Sequence, residues 1–165
     1  MNELTAYFNG EWVPNSEVKI HATDRGFLSG DTVFDVARTF NGKSFRMKDH
    51  VALLYISLNF ARIDPGIDMD QMLFISEDAI KRNEPLRQEY GDFTIHPFVT
   101  RGPKPEAGAE ECPTVAVRLG PVNFSSYASY YATGAHGVIT KTRSYYCLLY
   151  TSAAADERSS VDIGG

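Results

Sequence analysis

The chain has 165 residues, 43% of them hydrophobic and 22% charged, with a formal net charge of −5. This length supports one sizeable domain and is short for two. An acidic chain with no Lys/Arg-rich run excludes a nucleic-acid footprint, and no apolar stretch approaches the roughly 18 residues that a membrane helix needs.

The N-terminus, MNELTAYFNGEW, lacks a basic segment followed by an apolar run, so no secretory signal is expected. Cys112 and Cys147 lie far apart without metal-ligand spacing and are expected to be free thiols in a reducing compartment. A cytoplasmic protein is the expectation.

Ala6 to Val13 reads as a hairpin around Asn9-Gly10, because Asn-Gly tolerates positive φ at both turn positions. Glu17 to Ile20 reads as a few more extended residues. The stretch DRGFLSGDTVFDVAR, Asp24 to Arg38, reads as a Gly/Asp-rich turn feeding straight into a strand that runs to Phe40. A second Asn-Gly turn at Asn41-Gly42 makes residues 33–46 a second hairpin, with Val36, Phe40 and Phe45 expected on its buried face.

From Met47 the apolar period becomes helical. Val51, Leu54, Tyr55, Leu58 and Ala61 form one stripe and Leu53, Ile56 and Phe60 a second, so a largely buried helix is expected. Asp64-Pro65-Gly66 ends it. Asp68 or Asp70 caps a second helix, Met69 to Arg82, with Met72, Ile75, Ala79 and Ile80 inward and Lys81 and Arg82 at its C-terminal end.

Phe93 to Arg101 returns to a strand, in which Pro97 suggests an edge or a bulge. Gly102 to Pro113 is a long Pro/Gly/Glu-rich loop, Thr114 to Leu119 a strand, Phe124 to Tyr131 an aromatic segment without a clear period, and Gly137 to Thr142 a final strand. Thr151 to Gly165 has no aromatics and almost no large apolar residues, too few to offset its ordering entropy. The expected organisation is an α+β domain over residues 1–145, an antiparallel sheet of hairpins with two helices packed on it, and a disordered or non-native tail over 146–165.

Read residue by residue, the chemical signals are sparse. Asp24 and Asp31 could pair as carboxylates, though turn caps are the more common use. His21 and His50 lack metal spacing, and no metal site is expected. His96 within an apolar strand reads as a satisfied core histidine before it reads as a base. Arg101, at a strand end before Gly-Pro, could receive a carboxylate or phosphate or serve as an ion-pair donor.

The order FNGEWVP, DRGFLSGDTVFDVARTFNGKSFRMKDH, LYISL and VTRG resembles the class IV aminotransferases over roughly residues 6–145. These fold-type IV enzymes use pyridoxal 5′-phosphate (PLP) and include branched-chain and D-amino acid aminotransferases and aminodeoxychorismate lyase. The resemblance implies the small N-terminal domain of a two-domain enzyme that moves an amino group between an amino acid and a 2-oxo acid, with PLP at the domain interface. It places Phe34 as the aromatic residue lining the substrate pocket. It also implies substrate-binding roles for His96 and Arg101, and a homodimer.

Two departures from the family pattern follow. The Schiff-base lysine has no counterpart, since the last lysine, Lys141 in VITKTR, matches the strand before the catalytic segment. This chain alone is therefore expected to be inactive. In the first helix the family's H-x-x-R-L holds the PLP phosphate through its arginine, and here Leu53 occupies that place. An arginine–phosphate pair contributes about 1.5–3 kcal/mol, which leucine cannot supply. The pair of pocket positions that the branched-chain enzymes fill with tyrosine and arginine holds Thr94 and His96. The loop positions that trap the carboxylate in the D-amino acid enzymes hold Glu106 and Gly108. Alternative readings are an aminodeoxychorismate lyase-like fragment and a non-catalytic dimerisation or binding module.

Overall fold

In the computed structural model, residues 3–126 and 128–137 are described. Asn9 and Gly10 take φ of 48° and 98°, and the hairpin they close joins β1 (Thr5–Phe8) to β2 (Glu11–Pro14). The sheet continues with β3 (Thr32–Phe34), β4 (Ala37–Phe40), β5 (Lys43–Ser44), β6 (Phe93–Thr100) and β7 (Thr114–Pro121). Its order is β2-β1-β7-β6-β4-β5, with β3 also paired to β6, and every pairing is antiparallel. Helices α2 (Met47–Ala61) and α3 (Met69–Asn83) cover one face, which gives the α+β arrangement expected. Short helices α1 (Arg25–Ser29), α4 (Arg87–Tyr90) and α5 (Ala128–Thr133) complete it.

Helix α3 starts in a capping box. The Asp68 carboxylate accepts from Gln71 N at 2.7 Å while Gln71 Oε1 accepts from Asp68 N at 2.9 Å, satisfying two donors that a helix start leaves open. Its inward side chains Met72, Ile75, Ala79 and Ile80 are buried as expected and meet Val51, Leu54 and Leu58 of α2 over Phe93, Ile95, Val99, Val117 and Leu119 of the sheet. At its C-terminal end the fully buried Asn83 accepts from Thr5 N and donates to Thr5 O, both at 2.8 Å, which ties α3 to β1.

Several expectations change. Residues 25–29 form a helical turn, because the buried Asp24 carboxylate accepts from Gly26 N and caps it, and Gly30 at φ 72° ends it. The strand expected to run unbroken to Phe40 is interrupted at Asp35-Val36, although Phe34 opposite Phe98 and Ala37 opposite Ile95 keep one register. Pro97 therefore marks neither an edge nor a bulge. It lies in an internal strand, and Asp35 N donates to Pro97 O at 3.1 Å with no N–H to return the bond.

Val36, Phe40 and Phe45 do not form a buried face. The register with β6 turns Val33, Ala37 and Thr39 inward, leaving Phe40 and Phe45 more than half exposed. The second stripe of α2 is likewise not buried, since Ile56 and Phe60 are exposed and Leu53 is half-buried. Asn15–Glu17 forms a 3-10 turn in place of an extended segment at 17–20. The aromatic segment after Phe124 includes the exposed helix α5. The strand expected up to Thr142, Lys141, Cys147 and the 146–165 tail lie outside the described residues from 138 onward.

Candidate functional site

The even-numbered side chains of β3, β4 and β6 point away from the helices. On that open face Phe34 stands beside Phe98, Arg38 beside Thr94, and His96 beside Arg118 of β7. Phe34 is 45% exposed. The Arg38 guanidinium lies over the Phe40 ring at 4.0 Å and over the Phe124 ring at 4.9 Å, so its charge is held between two aromatic faces.

His96 is polarised by its neighbours. When Thr94 Oγ1 donates its single hydrogen to Gly120 O at 3.1 Å, the 2.9 Å contact to His96 Nε2 is satisfied by the tautomer that carries the proton on that nitrogen. Nδ1 is left as the acceptor. Burial, and then the Arg118 charge, push the His96 pKa below its ordinary value. The neutral form of the ring is thus favoured at pH 7.

The structure brings Phe34 and His96 to one surface and keeps Arg101 apart. Arg101 Nε and Nη2 donate to the two Asp31 carboxylate oxygens at 2.5 and 3.2 Å, and Nη1 and Nη2 donate to the Arg62 and Ala61 carbonyls at 2.8 and 2.7 Å. It closes the last carbonyls of α2, the structural use of an arginine at a helix end. Leu53 lies on α2 one turn beyond His50, whose Nδ1 contacts Asp35 Oδ1 at 2.9 Å. Asp24 and Asp31 do not pair: Asp24 is a buried cap and Asp31 belongs to Arg101. His21 Nδ1 contacts Thr23 Oγ1 in solvent. Among the described residues no cluster of His, Cys, Asp and Glu could hold a metal ion.

Residue-by-residue reading missed Arg38 and Arg118. Both follow from strand parity once His96 is placed outward, because each sits in a strand whose alternate residues are apolar. The buried Asp35–His50 contact carried no sequence signal, since its partners are 15 positions apart on a strand break and a helix.

No family model matches the chain. It is 32% identical over 99 residues to a putative branched-chain-amino-acid aminotransferase of Methanocaldococcus jannaschii, covering 60% of this chain and 33% of the relative. It is 30% identical over 122 residues to a D-alanine aminotransferase of Bacillus licheniformis, covering 72% and 41%. Among solved structures, an Escherichia coli branched-chain amino acid aminotransferase superposes with a TM-score of 0.62 at 22% identity, covering 73% of this chain and 40% of that one. A hypothetical aminotransferase of Mycobacterium tuberculosis in a PLP-bound form gives 0.64 at 19% identity, covering 77% and 43%.

The chain carries the N-terminal region of a class IV aminotransferase.

It spans 33% of the length of the first of these curated relatives and 41% of the second. In this class IV region the place of a phosphate-holding arginine does not fit a phosphate. Leu53 offers no donor, and the neighbouring His50 leans on Asp35, a carboxylate 1% exposed whose Oδ2 has no hydrogen-bond partner. A phosphate dianion at Leu53 would meet a hydrocarbon side chain with no donor to offer it.

Proposed function

We propose that this chain is the substrate-facing N-terminal part of a PLP-dependent aminotransferase acting on an amino acid and a 2-oxo acid. The rest of the parent would supply the lysine and most of the cofactor's contacts. The observation that carries this reading is the open sheet face, where Phe34, Arg38 and His96 present an aromatic wall, a fixed cation and a neutral ring within one antiparallel ladder. In this reading Phe34 lines the substrate pocket, His96 accepts a hydrogen bond at Nδ1, and Arg101 supports the site by holding β6 to the end of α2. The functional domain spans residues 1–145, with 146–165 outside it, and works as a homodimer. A cytoplasmic location is part of the same reading; no helix among the described residues is long and apolar enough to cross a membrane.

The test uses both the chain and its parent. PLP added to the purified chain, followed by borohydride, should leave no lysine stoichiometrically labelled. The full-length parent should transfer an amino group from a branched-chain L-amino acid or D-alanine to 2-oxoglutarate. Pyruvate release from aminodeoxychorismate without amino transfer would replace this reading by the lyase.

A second reading, a non-catalytic dimerisation module, is favoured by Leu53 itself. With Ile56 and Phe60 it makes a helical stripe that is apolar where the family carries a charge. A folded dimer whose full-length parent has no PLP affinity would establish it.

A further inference from the structure

We propose that the β6–β7 connection, residues 101–113, is a strap with a fixed neck and a releasable tip, and that Arg25 holds the tip shut through Glu111. This is a property of the chain itself, whatever its parent catalyses.

The neck is fixed by burial. Asp24 Oδ2 accepts from Thr100 Oγ1 at 2.7 Å and from Thr114 Oγ1 at 2.9 Å, so one fully buried carboxylate oxygen joins the last residue of β6 to the first of β7. Its other oxygen accepts from Gly26 N at 2.7 Å. Thr100 Oγ1 in turn accepts from Gly102 N at 3.0 Å. The two limbs cross so closely that a Cβ on Gly102, which has φ +73°, would lie 1.8 Å from Cys112 O. A Cβ on Gly26 would lie 2.7 Å from Thr100 Cβ. Only glycine fits either position.

Arg25 spans from neck to tip. Its backbone N and its Nε both donate to Gly102 O at 3.0 Å, and Nη2 donates to Arg101 O at 2.9 Å and Pro103 O at 3.3 Å. The same guanidinium pairs with Glu111, through Nη1 to Oε1 at 3.2 Å and through Nη2 to Oε2. The carbonyl contacts are part-buried and involve neutral acceptors. The Glu111 side chain is 55% exposed, so its pairing is open to solvent and screened by salt.

Beyond the neck, few contacts among the described residues hold the strap. Residues 106–112 are all exposed, and the tip's turn is closed by Ala109 N donating to Glu106 O at 3.0 Å. Beneath it is a cavity of about 340 Å³, bounded by Arg62, Ile63 and Asp64 from the α2–α3 connection, by Arg101, and by Glu110 and Glu111 of the strap. Glu111 is therefore both the latch's acceptor and a wall of the cavity. When the Arg25–Glu111 pair parts, the tip swings on Gly102 and Pro113 and opens the cavity, while Asp24 keeps the strand ends together.

The experiment is backbone ¹⁵N relaxation on the full chain, wild type and two variants, at low and at about 1 M salt. In the wild type at low salt the strap amides should approach the order of rigid backbone, about 0.85, and at high salt fall towards the flexible range, below about 0.6. Glu111→Gln should show the low values at both salt concentrations, with the Gly102 and Thr114 amides still rigid. Arg25→Lys, which cannot span both sets of acceptors, should loosen Gly102 as well, with the β6 and β7 amides reporting an intact sheet. Equal order in wild type and Glu111→Gln, or a wild-type strap already flexible at low salt, would overturn the latch.

Discussion

Pro97 sits opposite Asp35, and the N–H that proline lacks is the one that would have returned Asp35's bond across the ladder. Asp35 donates its own N–H to Pro97 O, and its carboxylate turns to Val36 N at 2.5 Å and to His50 at 2.9 Å. The missing bond splits one strand into β3 and β4 and lets a buried acid reach from the sheet to the start of α2. Asp35→Ala should strand the His50 ring without its partner and cost about 1–3 kcal/mol. Asp35→Asn keeps an acceptor for His50 and should cost less. Urea unfolding followed by Trp12 fluorescence measures both; equal losses would mean that the contact to His50 contributes nothing.

Asn83 is the second buried polar tie. Its amide meets both backbone groups of Thr5 and also donates to Ala79 O at 2.8 Å. Asn83→Ala should destabilise the chain by about 1–3 kcal/mol, because Thr5 N–H and C=O lose their partner at the edge of the core. Hydrogen exchange should quicken first in β1. A uniform rise across the sheet would show that the tie is not local.

His96 sets a pH window. Its folded pKa is depressed by burial and by Arg118, so its stabilising contribution is complete above the unfolded value of about 6.5 and is lost as pH falls through the lower folded value. A ring-proton titration should place its midpoint below the ordinary histidine value of about 6.5. Arg118→Gln should raise the midpoint only in part, since burial is the larger cause. The ring nitrogens should report the Nε2–H tautomer, and a Nδ1–H signal would break the chain Gly120–Thr94–His96.

Asp92 sets a second window, at acid pH. Burial raises its pKa, but donors from Gly42 N at 2.9 Å, Asn41 N at 3.0 Å and Thr39 Oγ1 at 2.8 Å outweigh it, and the folded value is lowered. Its contribution is present above the unfolded value of about 3.9 and is lost as pH falls through the folded one. The Asn41-Gly42 turn should therefore be the part of the sheet most weakened below pH 4, and Asp92→Asn should remove that dependence. Amide exchange at Gly42 against pH reads it.

Leu53 supplies a gain-of-function test. In the full-length parent, Leu53→Arg should tighten PLP by roughly ten- to a hundredfold, the equivalent of a charge-assisted pair. No change in PLP affinity would mean that the phosphate is held elsewhere.

The elements were legible where the chain alone decides them. Asn-Gly turns force positive φ, so both hairpins were placed, and the α3 stripe from Met72 to Ile80 follows from helical period and the Asp68 cap. What could not be read is what depends on a distant partner. Whether Val36 or Ala37 faces the core is set by pairing with Ile95, far along the chain. Burial of Ile56 and Phe60 depends on whether anything covers that side of α2. Of the candidate site, Phe34 and His96 share a face by strand parity. Arg101 stayed open between two uses because a strand-end arginine looks the same whether it meets a ligand or, as here, the carbonyls of Ala61 and Arg62.

Phe34, Phe40 and Phe124 are each about half exposed along one side of the sheet, with Arg38 the charge laid between the last two. An uncovered aromatic surface of this kind governs how the isolated chain behaves in the tube. It should bind a hydrophobic dye while fully folded, salt out early in ammonium sulfate, and stay dispersed longer when free arginine competes for the rings. Arg38→Glu, which removes the cation from its aromatic neighbours, should make the folded chain stickier despite raising its net negative charge.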